Sequence, residues 1–219
     1  MRNILINLFI ISGYVFAGLL IILEKTENVM ATEVKQEKLA VLALGDSLTA
    51  GFGVQEEESF PSRLQLKIDQ FNLGYKVINA GVSGDTTAGG VRRIEWLMKH
   101  KPNIVILALG ANDGLRGLSI KEMRTNLETM IRISHDNNAK VLLAGMKALP
   151  NYGEDYQVKF EAVYSDLAKK YDLILLPFLL EGVAGVREHT RPDGLHPTAS
   201  GYKIVADLVW RYLHPMLRK

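Results

Sequence analysis

Short apolar runs alternate with helical patterns along most of this 219-residue chain. A continuous apolar run is typical of a strand that is buried on both faces of a parallel sheet. Such runs predict strands at 39–44, 76–79, 104–109, 139–144 and 173–177. Between them, apolar residues recur at helical spacing, which predicts helices at 59–72, 88–99, 119–137, 156–171 and 197–213. The alternation predicts an α/β fold, a three-layer doubly wound sandwich around a central parallel sheet of about five strands, in one domain at 38–219.

The N-terminal segment indicates export. Residues 4–23 carry no charge and lie between Arg2 and Glu24. This pattern is typical of a signal peptide, and about twenty apolar residues are also enough to span a membrane as a helix. We therefore predict that 1–31 is a signal peptide or an N-terminal membrane anchor with its tether, with a buried core helix as the less favoured reading. The protein is expected to be periplasmic or secreted, or anchored to the inner membrane by an uncleaved helix.

The composition excludes several classes of protein. A formal net charge of +2, without a basic run, argues against nucleic acid binding. The absence of cysteine excludes disulfides, a thiol nucleophile and a zinc site of cysteine type. Neither a repeat nor a low-complexity tract interrupts the domain, and we expect a monomer.

Ser47 is a candidate nucleophile because it directly follows the first predicted strand. In open α/β sheets, ligands bind beyond the carboxyl ends of the strands. The alternative is that the Ser47 hydroxyl only caps a helix. No Gly-x-Ser-x-Gly sequence occurs in the chain, so the nucleophile elbow of the α/β-hydrolase fold is absent.

His196 is the candidate base, and Asp193 is its candidate partner. A serine hydroxyl becomes a good nucleophile when a histidine takes its proton and a carboxylate orients that histidine. The spacing of three residues lets the Asp193 carboxylate fold back to the imidazole within one turn. Two alternatives stay open: Asp193 is only a turn or cap residue, or His189 is the base.

Acyl transfer also needs hydrogen-bond donors for the oxyanion that develops on the carbonyl oxygen. The backbone N–H groups of Ser47 and Gly81 and the side-chain amide of Asn112 are candidates, since all three follow predicted strands. A metal site is the weaker reading, because the carboxylates in these loops lack a histidine at ligand spacing.

In this order, the residues resemble the four sequence blocks of the GDSL, or SGNH, hydrolase family. The blocks are Gly-Asp-Ser-Leu at 45–48, Gly81, Gly-Ala-Asn-Asp at 110–113 and Asp-Gly-Leu-His at 193–196. The chain is most similar to the bacterial branch of arylesterases and multifunctional thioesterase I/protease I/lysophospholipase L1 enzymes.

The resemblance implies a flavodoxin-like sandwich that needs no cofactor. It implies Ser47 as nucleophile, His196 as base and Asp193 as the residue that orients the base. It also implies that Ser47, Gly81 and Asn112 form the oxyanion hole.

The substrate is expected to be a small acyl ester or thioester. Loops beside the predicted site carry apolar side chains that suit an acyl chain, although these side chains could instead pack in the core. The candidate substrate-binding residues are Asp46, Leu48, Met146, Leu149, Tyr152, Phe178, Leu179 and Val183. We predict a serine esterase that forms an acyl-enzyme on Ser47. An acyltransferase of the same fold and a non-catalytic acyl-lipid binding module are the alternatives.

Overall fold

The computed structural model describes residues 39–217, so the predictions for 1–38 lie outside the described residues. A five-stranded, entirely parallel sheet forms the centre, and its strand order is β2-β1-β3-β4-β5. The strands are β1 (Leu39–Gly45), β2 (Tyr75–Gly81), β3 (Ile104–Ala108), β4 (Lys140–Ala144) and β5 (Ile174–Leu176). The predicted α/β sandwich is thereby confirmed.

Seven α-helices connect or follow the strands in the described part of the chain. They are α1 (Ser47–Ala50), α2 (Phe60–Gln70), α3 (Thr87–Leu97), α4 (Ala111–Leu115), α5 (Ile120–Asp136), α6 (Glu154–Tyr171) and α7 (Ala199–Leu213). The short helices α1 and α4 were not predicted. Within residues 39–217, no helix is long and apolar enough to cross a membrane.

Handedness distributes the helices over the two faces of the sheet. The β1-to-β2 connection, which contains α2, crosses the sheet in the opposite direction to the three later connections. Right-handed crossovers therefore place α2 on one face, and α3, α5 and α6 on the other. The packing agrees, because α2 contacts α7, while α5 contacts both α3 and α6.

The core lies on both faces of the central strands. Every residue of β3 is buried, as are all residues of β1 after Leu39, because helices cover both faces. The strand β2 is at the edge of the sheet and is only partly buried. On its outer side, Gln65 of α2 occupies the place of a further strand: its Oε1 accepts from Val77 N at 2.6 Å, and its Nε2 donates to the carbonyl of Tyr75 at 3.1 Å.

Three strands end level with one another. Gly45 at the end of β1 pairs with Gly81 of β2 on one side and with Ala108 of β3 on the other. Both glycines allow α1 to pack directly on the strand ends. A Cβ on Gly45 would lie 1.9 Å from Thr49 Oγ1, and a Cβ on Gly81 would lie 2.2 Å from the Ala50 nitrogen. The loops after β1, β2 and β3 therefore begin side by side.

Candidate active site

Ser47 is held at the start of α1, directly beyond the end of β1. Asp46, not Ser47, caps this helix, because its Oδ1 accepts from Leu48 N at 3.0 Å. The Ser47 hydroxyl is therefore not used as a cap. The backbone N–H of Ser47 is in the first turn, where N–H groups have no partner within the helix. The hydroxyl of Tyr202 of α7 donates a hydrogen bond to the Ser47 carbonyl at 3.3 Å.

The structure brings Ser47, His196 and Asp193 together. The Ser47 Oγ lies 2.9 Å from His196 Nε2, and His196 Nδ1 lies 2.9 Å from Asp193 Oδ2. With the proton on Nδ1 donated to Asp193, Nε2 is free to accept the serine proton. The competing candidate His189 instead makes a contact with Ser200 Oγ at 3.0 Å through its Nδ1.

The loop that carries the acid and the base is folded on itself. Asp193 Oδ1 accepts from the backbone N–H groups of Leu195 at 2.9 Å and His196 at 3.0 Å. These interactions lower the pKa of Asp193 from 3.8 to about 2. The backbone hydrogen bond from His196 N contributes most, and the bond from Leu195 N and the imidazole of His196 add to it. The carboxylate is thus ionised throughout the neutral range. Helix α7 begins at Ala199 with Thr198 as its cap, two residues later than the predicted start at Pro197.

Of the three candidate oxyanion donors, Ser47 and Asn112 border the same apolar cavity, whereas Gly81 does not. The Gly81 N–H donates to Asn79 Oδ1 at 3.0 Å. The Asn112 Nδ2 donates to Asp46 Oδ2 at 3.2 Å and to the Asp85 carbonyl at 3.0 Å.

Asp46 is a completely buried carboxylate next to the candidate nucleophile. Burial raises its pKa from 3.8 to about 6, while the N–H of Leu48 and the amide of Asn112 oppose the rise. Both of its oxygens accept hydrogen bonds from the protein. Asp46 borders the cavity, but its carboxylate holds Asn112 rather than facing a substrate.

An apolar cavity of about 480 Å³ opens beside Ser47 and His196. Of the residues predicted to bind substrate, five line it: Asp46, Leu48, Met146, Leu149 and Phe178. Further lining residues include Phe52, Leu115, Lys147, Ala148, Leu180 and Ala184, which the sequence analysis missed. Phe52 also packs on the imidazole of His196, with 4.6 Å between ring centroids.

Three predicted substrate residues do not line the cavity. Leu179 and Val183 are buried in the hydrophobic core, with 0% and 1% of their surface exposed. Tyr152 lies outside the cavity and donates its hydroxyl to the Leu115 carbonyl at 3.1 Å. Its ring packs against Gly117, where a Cβ would lie 2.6 Å from the nearest ring carbon. Tyr152 therefore secures the end of α4.

The side chains of residues 39–217 include no group of three or more histidines and carboxylates placed to hold a metal ion. The functional groups of the site are a serine hydroxyl, an imidazole, a carboxylate and amide donors, and they lie beside an apolar cavity.

Comparisons with known proteins agree with this chemistry. The esterase TesA of Pseudomonas aeruginosa is 38% identical over 178 residues, which cover 81% of this chain and 89% of the relative. An arylesterase of Vibrio mimicus is 40% identical over 174 residues, or 79% of this chain and 86% of the relative. The thioesterase 1/protease 1/lysophospholipase L1 of Escherichia coli K12 is 35% identical over 178 residues, or 81% and 84%.

The fold comparison gives the same result. A crystal structure of TesA superimposes with a TM-score of 0.79 at 38% identity and covers 81% of this chain and 99% of the other. The model of the GDSL-like Lipase/Acylhydrolase family matches residues 43–204, which include the loops of Ser47, Gly81, Asn112 and His196. This chain therefore belongs to the GDSL-like lipase/acylhydrolase family.

Proposed function

We propose that this protein is a serine esterase that hydrolyses carboxylic esters or thioesters of acyl groups through an acyl-enzyme on Ser47. The observation that carries the proposal is the continuous hydrogen-bonded path from Ser47 Oγ through His196 to Asp193. The names of the relatives, which include esterase, arylesterase, thioesterase and lysophospholipase, support the reaction type.

The reaction proceeds in two halves. Ser47 Oγ attacks the carbonyl carbon while His196 Nε2 takes its proton, and the resulting oxyanion accepts hydrogen bonds from Ser47 N and Asn112 Nδ2. The imidazolium then gives its proton to the departing alcohol or thiol, which leaves the acyl group on Ser47. Water then attacks the acyl carbonyl while His196 takes its proton; the bond between the acyl carbon and Ser47 Oγ breaks, His196 returns the proton to Oγ, and the acid is released.

Asp193 acts only through His196. Its charge stabilises the imidazolium that forms in each half of the reaction, and its hydrogen bond fixes the tautomer. Because its pKa is lowered to about 2, the carboxylate stays charged at neutral pH.

The cavity supports acyl groups as the bound part of the substrate. Its wall is mainly aliphatic and aromatic, including Met146, Leu149, Phe178 and Leu180. Lys147 lies at the same wall, and its ammonium is 5.1 Å from the ring centroid of Phe178. An acyl chain would bury its methylene groups here, at about 0.8 kcal/mol for each.

Replacement of the nucleophile tests the proposal. We expect Ser47→Ala to lower kcat for p-nitrophenyl butyrate by on the order of 10⁴-fold or more, with an unchanged circular dichroism spectrum, because the covalent route is lost. A fluorophosphonate should label the unaltered protein and not the variant. Comparable turnover by both proteins would refute the proposal, and a failure of the unaltered protein to react would favour the binding module.

We also propose export of the protein, on the strength of the uncharged segment at 4–23 that follows Arg2. N-terminal sequencing of protein from fractionated cells tests this proposal. A mature chain that begins near residue 32 would indicate a cleaved signal, and an intact N-terminus in the membrane fraction would indicate an anchor. An intact chain in the cytoplasm would refute export.

A further inference from the structure

Arg191 belongs to the loop of the base and closes that loop through its backbone. Its N–H donates to the His196 carbonyl at 2.8 Å, and its carbonyl accepts from Gly194 N at 2.9 Å. Asp193 and His196 therefore lie within a turn whose two ends are joined at Arg191. A displacement of Arg191 would displace both members of the acid–base pair.

The side chain of Arg191 leaves this loop and reaches the turn that follows α1. Its Nη1 donates to the Gly53 carbonyl at 2.6 Å. Gly53 has a φ of +81°, and a Cβ there would lie 2.5 Å from Arg191 Cζ and 2.7 Å from its Nε. The guanidinium therefore fills the space that a side chain at position 53 would need. Its Nε is buried and has no hydrogen-bond partner within residues 39–217, so close packing on Gly53 is a large part of what holds the group.

The turn that Arg191 contacts is itself joined to both the nucleophile and the base. Phe52 N donates to the Ser47 carbonyl at 3.0 Å, and the Phe52 ring packs on the imidazole of His196 with 4.6 Å between ring centroids. This ring is also 47% exposed, so much of its surface faces solvent rather than protein. The contact of Arg191 with the next residue, Gly53, restrains the turn and keeps the ring on the imidazole.

We propose that Arg191 is a positioning residue for the base: it holds the turn at 51–54 against the loop at 191–196 and so keeps the imidazole of His196 in contact with Ser47 Oγ. This inference rests on the proposed function. The two segments are far apart in the sequence, since Ser47 and His196 are separated by 149 residues. Arg191 is not among the residues that line the cavity, and it acts through Gly53 and Phe52.

Such a role affects the reacting groups more than the affinity for substrate. The wall of the cavity comes mostly from other loops, whereas attack by Ser47 requires its proton acceptor to stay within hydrogen-bond distance. Loss of the Arg191 side chain should therefore reduce kcat and leave KM nearly unchanged. A displacement of reacting groups by about 1 Å can cost on the order of 10²-fold in rate.

The test compares Arg191→Met with Arg187→Met, which removes the same charge from an exposed position four residues earlier. For p-nitrophenyl butyrate we expect Arg191→Met to lower kcat by at least about tenfold, and Arg187→Met to match the unaltered protein.

The reaction of Ser47 with a fluorophosphonate separates positioning from stability. This reaction depends on the same proton transfer from Ser47 to His196, so its rate constant should fall by a factor similar to that of kcat in Arg191→Met. All of the protein should still become labelled at the end. Incomplete labelling at an unchanged rate constant would show that the substitution only unfolds part of the protein, which would overturn the inference.

A double-mutant cycle with Phe52→Ala tests whether Arg191 acts through the turn. If Arg191 works by holding the Phe52 ring on the imidazole, both substitutions remove the same interaction. The double variant should then lose less kcat than the product of the two single losses. Losses that multiply, or full kcat in Phe52→Ala, would overturn the inference.

Arg191→Lys separates the hydrogen bond from the packing. Lysine can still donate to the Gly53 carbonyl, but it lacks the planar group that fills the space at Gly53. We expect it to recover part of kcat. If Arg191→Met does not fold, Arg191→Lys is judged by the same criteria against Arg187→Lys.

Unchanged kcat and an unchanged labelling rate in a folded Arg191 variant would also overturn the inference. Ser47→Ala is assayed beside these variants. If Ser47→Ala stays active, the proposed function itself fails. If Ser47→Ala is inactive while the Arg191 variants match the unaltered protein, only the role of Arg191 fails.

Discussion

Two adjacent residues, Asp46 and Ser47, have opposite environments and complementary tasks. The Asp46 carboxylate is fully buried and bound by Leu48 N and by Asn112, whereas the Ser47 hydroxyl faces the cavity and His196. Burial raises the pKa of Asp46 to about 6. An ionised carboxylate in this buried position costs free energy. Its hydrogen bond from Asn112 Nδ2 holds that side chain in place.

The Asp46 environment predicts a specific dependence of stability on pH. Its pKa is higher in the folded than in the unfolded protein, so the folded state binds more protons between about pH 4 and 6 and loses stability as the pH rises through that window. The loss amounts to up to about 3 kcal/mol, at about 1.4 kcal/mol per pKa unit. The asparagine of the Asp46→Asn variant cannot titrate, so this variant should not show that loss of stability.

Urea unfolding of both proteins at pH 4 and at pH 8 measures this contribution. The free energy of unfolding of Asp46→Asn, relative to the unaltered protein, should be higher at pH 8 than at pH 4. Other titrating groups are common to both proteins and largely cancel in the comparison. An equal difference at both pH values would contradict the assigned pKa.

Individual catalytic candidates could be predicted from sequence because few side chains perform acyl-transfer chemistry. Ser47, Asn112 and His196 each combine the required functional group with a place beyond a strand or in a loop near the same edge. The apolar substrate-binding residues were harder to predict. Leu179 and Phe178 are neighbours of similar character, yet one packs in the core and the other lines the cavity. Only the direction of each side chain distinguishes them, and the sequence carries no signal for it.

At the scale of elements, the edge of the sheet is protected by a side chain rather than by another strand. Gln65 of α2 accepts from Val77 N and donates to the Tyr75 carbonyl, as a neighbouring strand would. An exposed strand edge invites pairing with another chain, and covering it with an element is one known remedy. Helix α2 performs that task through one amide.

Truncation of this amide should weaken the edge strand. Gln65→Ala leaves the Val77 N–H without its acceptor, and we expect the free energy of unfolding to fall by about 1 to 2 kcal/mol. Gln70→Ala at the exposed end of the same helix is the control and should change stability by less than about 0.5 kcal/mol. Urea titrations provide both values. Equal effects of the two substitutions would show that the Gln65 amide does not stabilise β2.

The long elements were predictable and the short ones were not. The five strands stand out as continuous apolar runs, and the five long helices have enough apolar residues to show a helical period. Helices α1 and α4 have four and five residues, too few to show any period, and both start directly where a strand has ended. Their positions depend on tertiary contacts, such as the packing of α1 against Gly45 and Gly81. These short helices carry Ser47 and Asn112.

At the scale of the whole molecule, the cavity is assembled from loops that are distant in sequence. Phe52 follows α1, Leu115 ends α4, Met146 follows β4, and Phe178 follows β5. No single segment contains the binding surface. The cavity volume of about 480 Å³ therefore depends on how far several loops extend beyond the same edge of the sheet.

A larger side chain in one of these loops should shorten the acyl chains that the protein accepts. We expect Ala184→Phe to reduce kcat/KM for p-nitrophenyl decanoate by about tenfold or more relative to the acetate, since it displaces buried methylene groups. Val158→Phe, at an exposed position of α6, serves as the control. A rate profile over chain lengths from acetate to palmitate measures the shift. Parallel profiles for the two variants would place the acyl chain elsewhere.

The acid–base pair and the nucleophile come from distant parts of the sequence. Asp193 and His196 are three residues apart and are joined by bonds within one loop, whereas Ser47 and His196 are 149 residues apart. A nascent chain therefore contains its serine long before it contains the imidazole that activates it. Until the C-terminal segment has been synthesised and has docked, the polypeptide lacks the base that Ser47 needs to attack an ester.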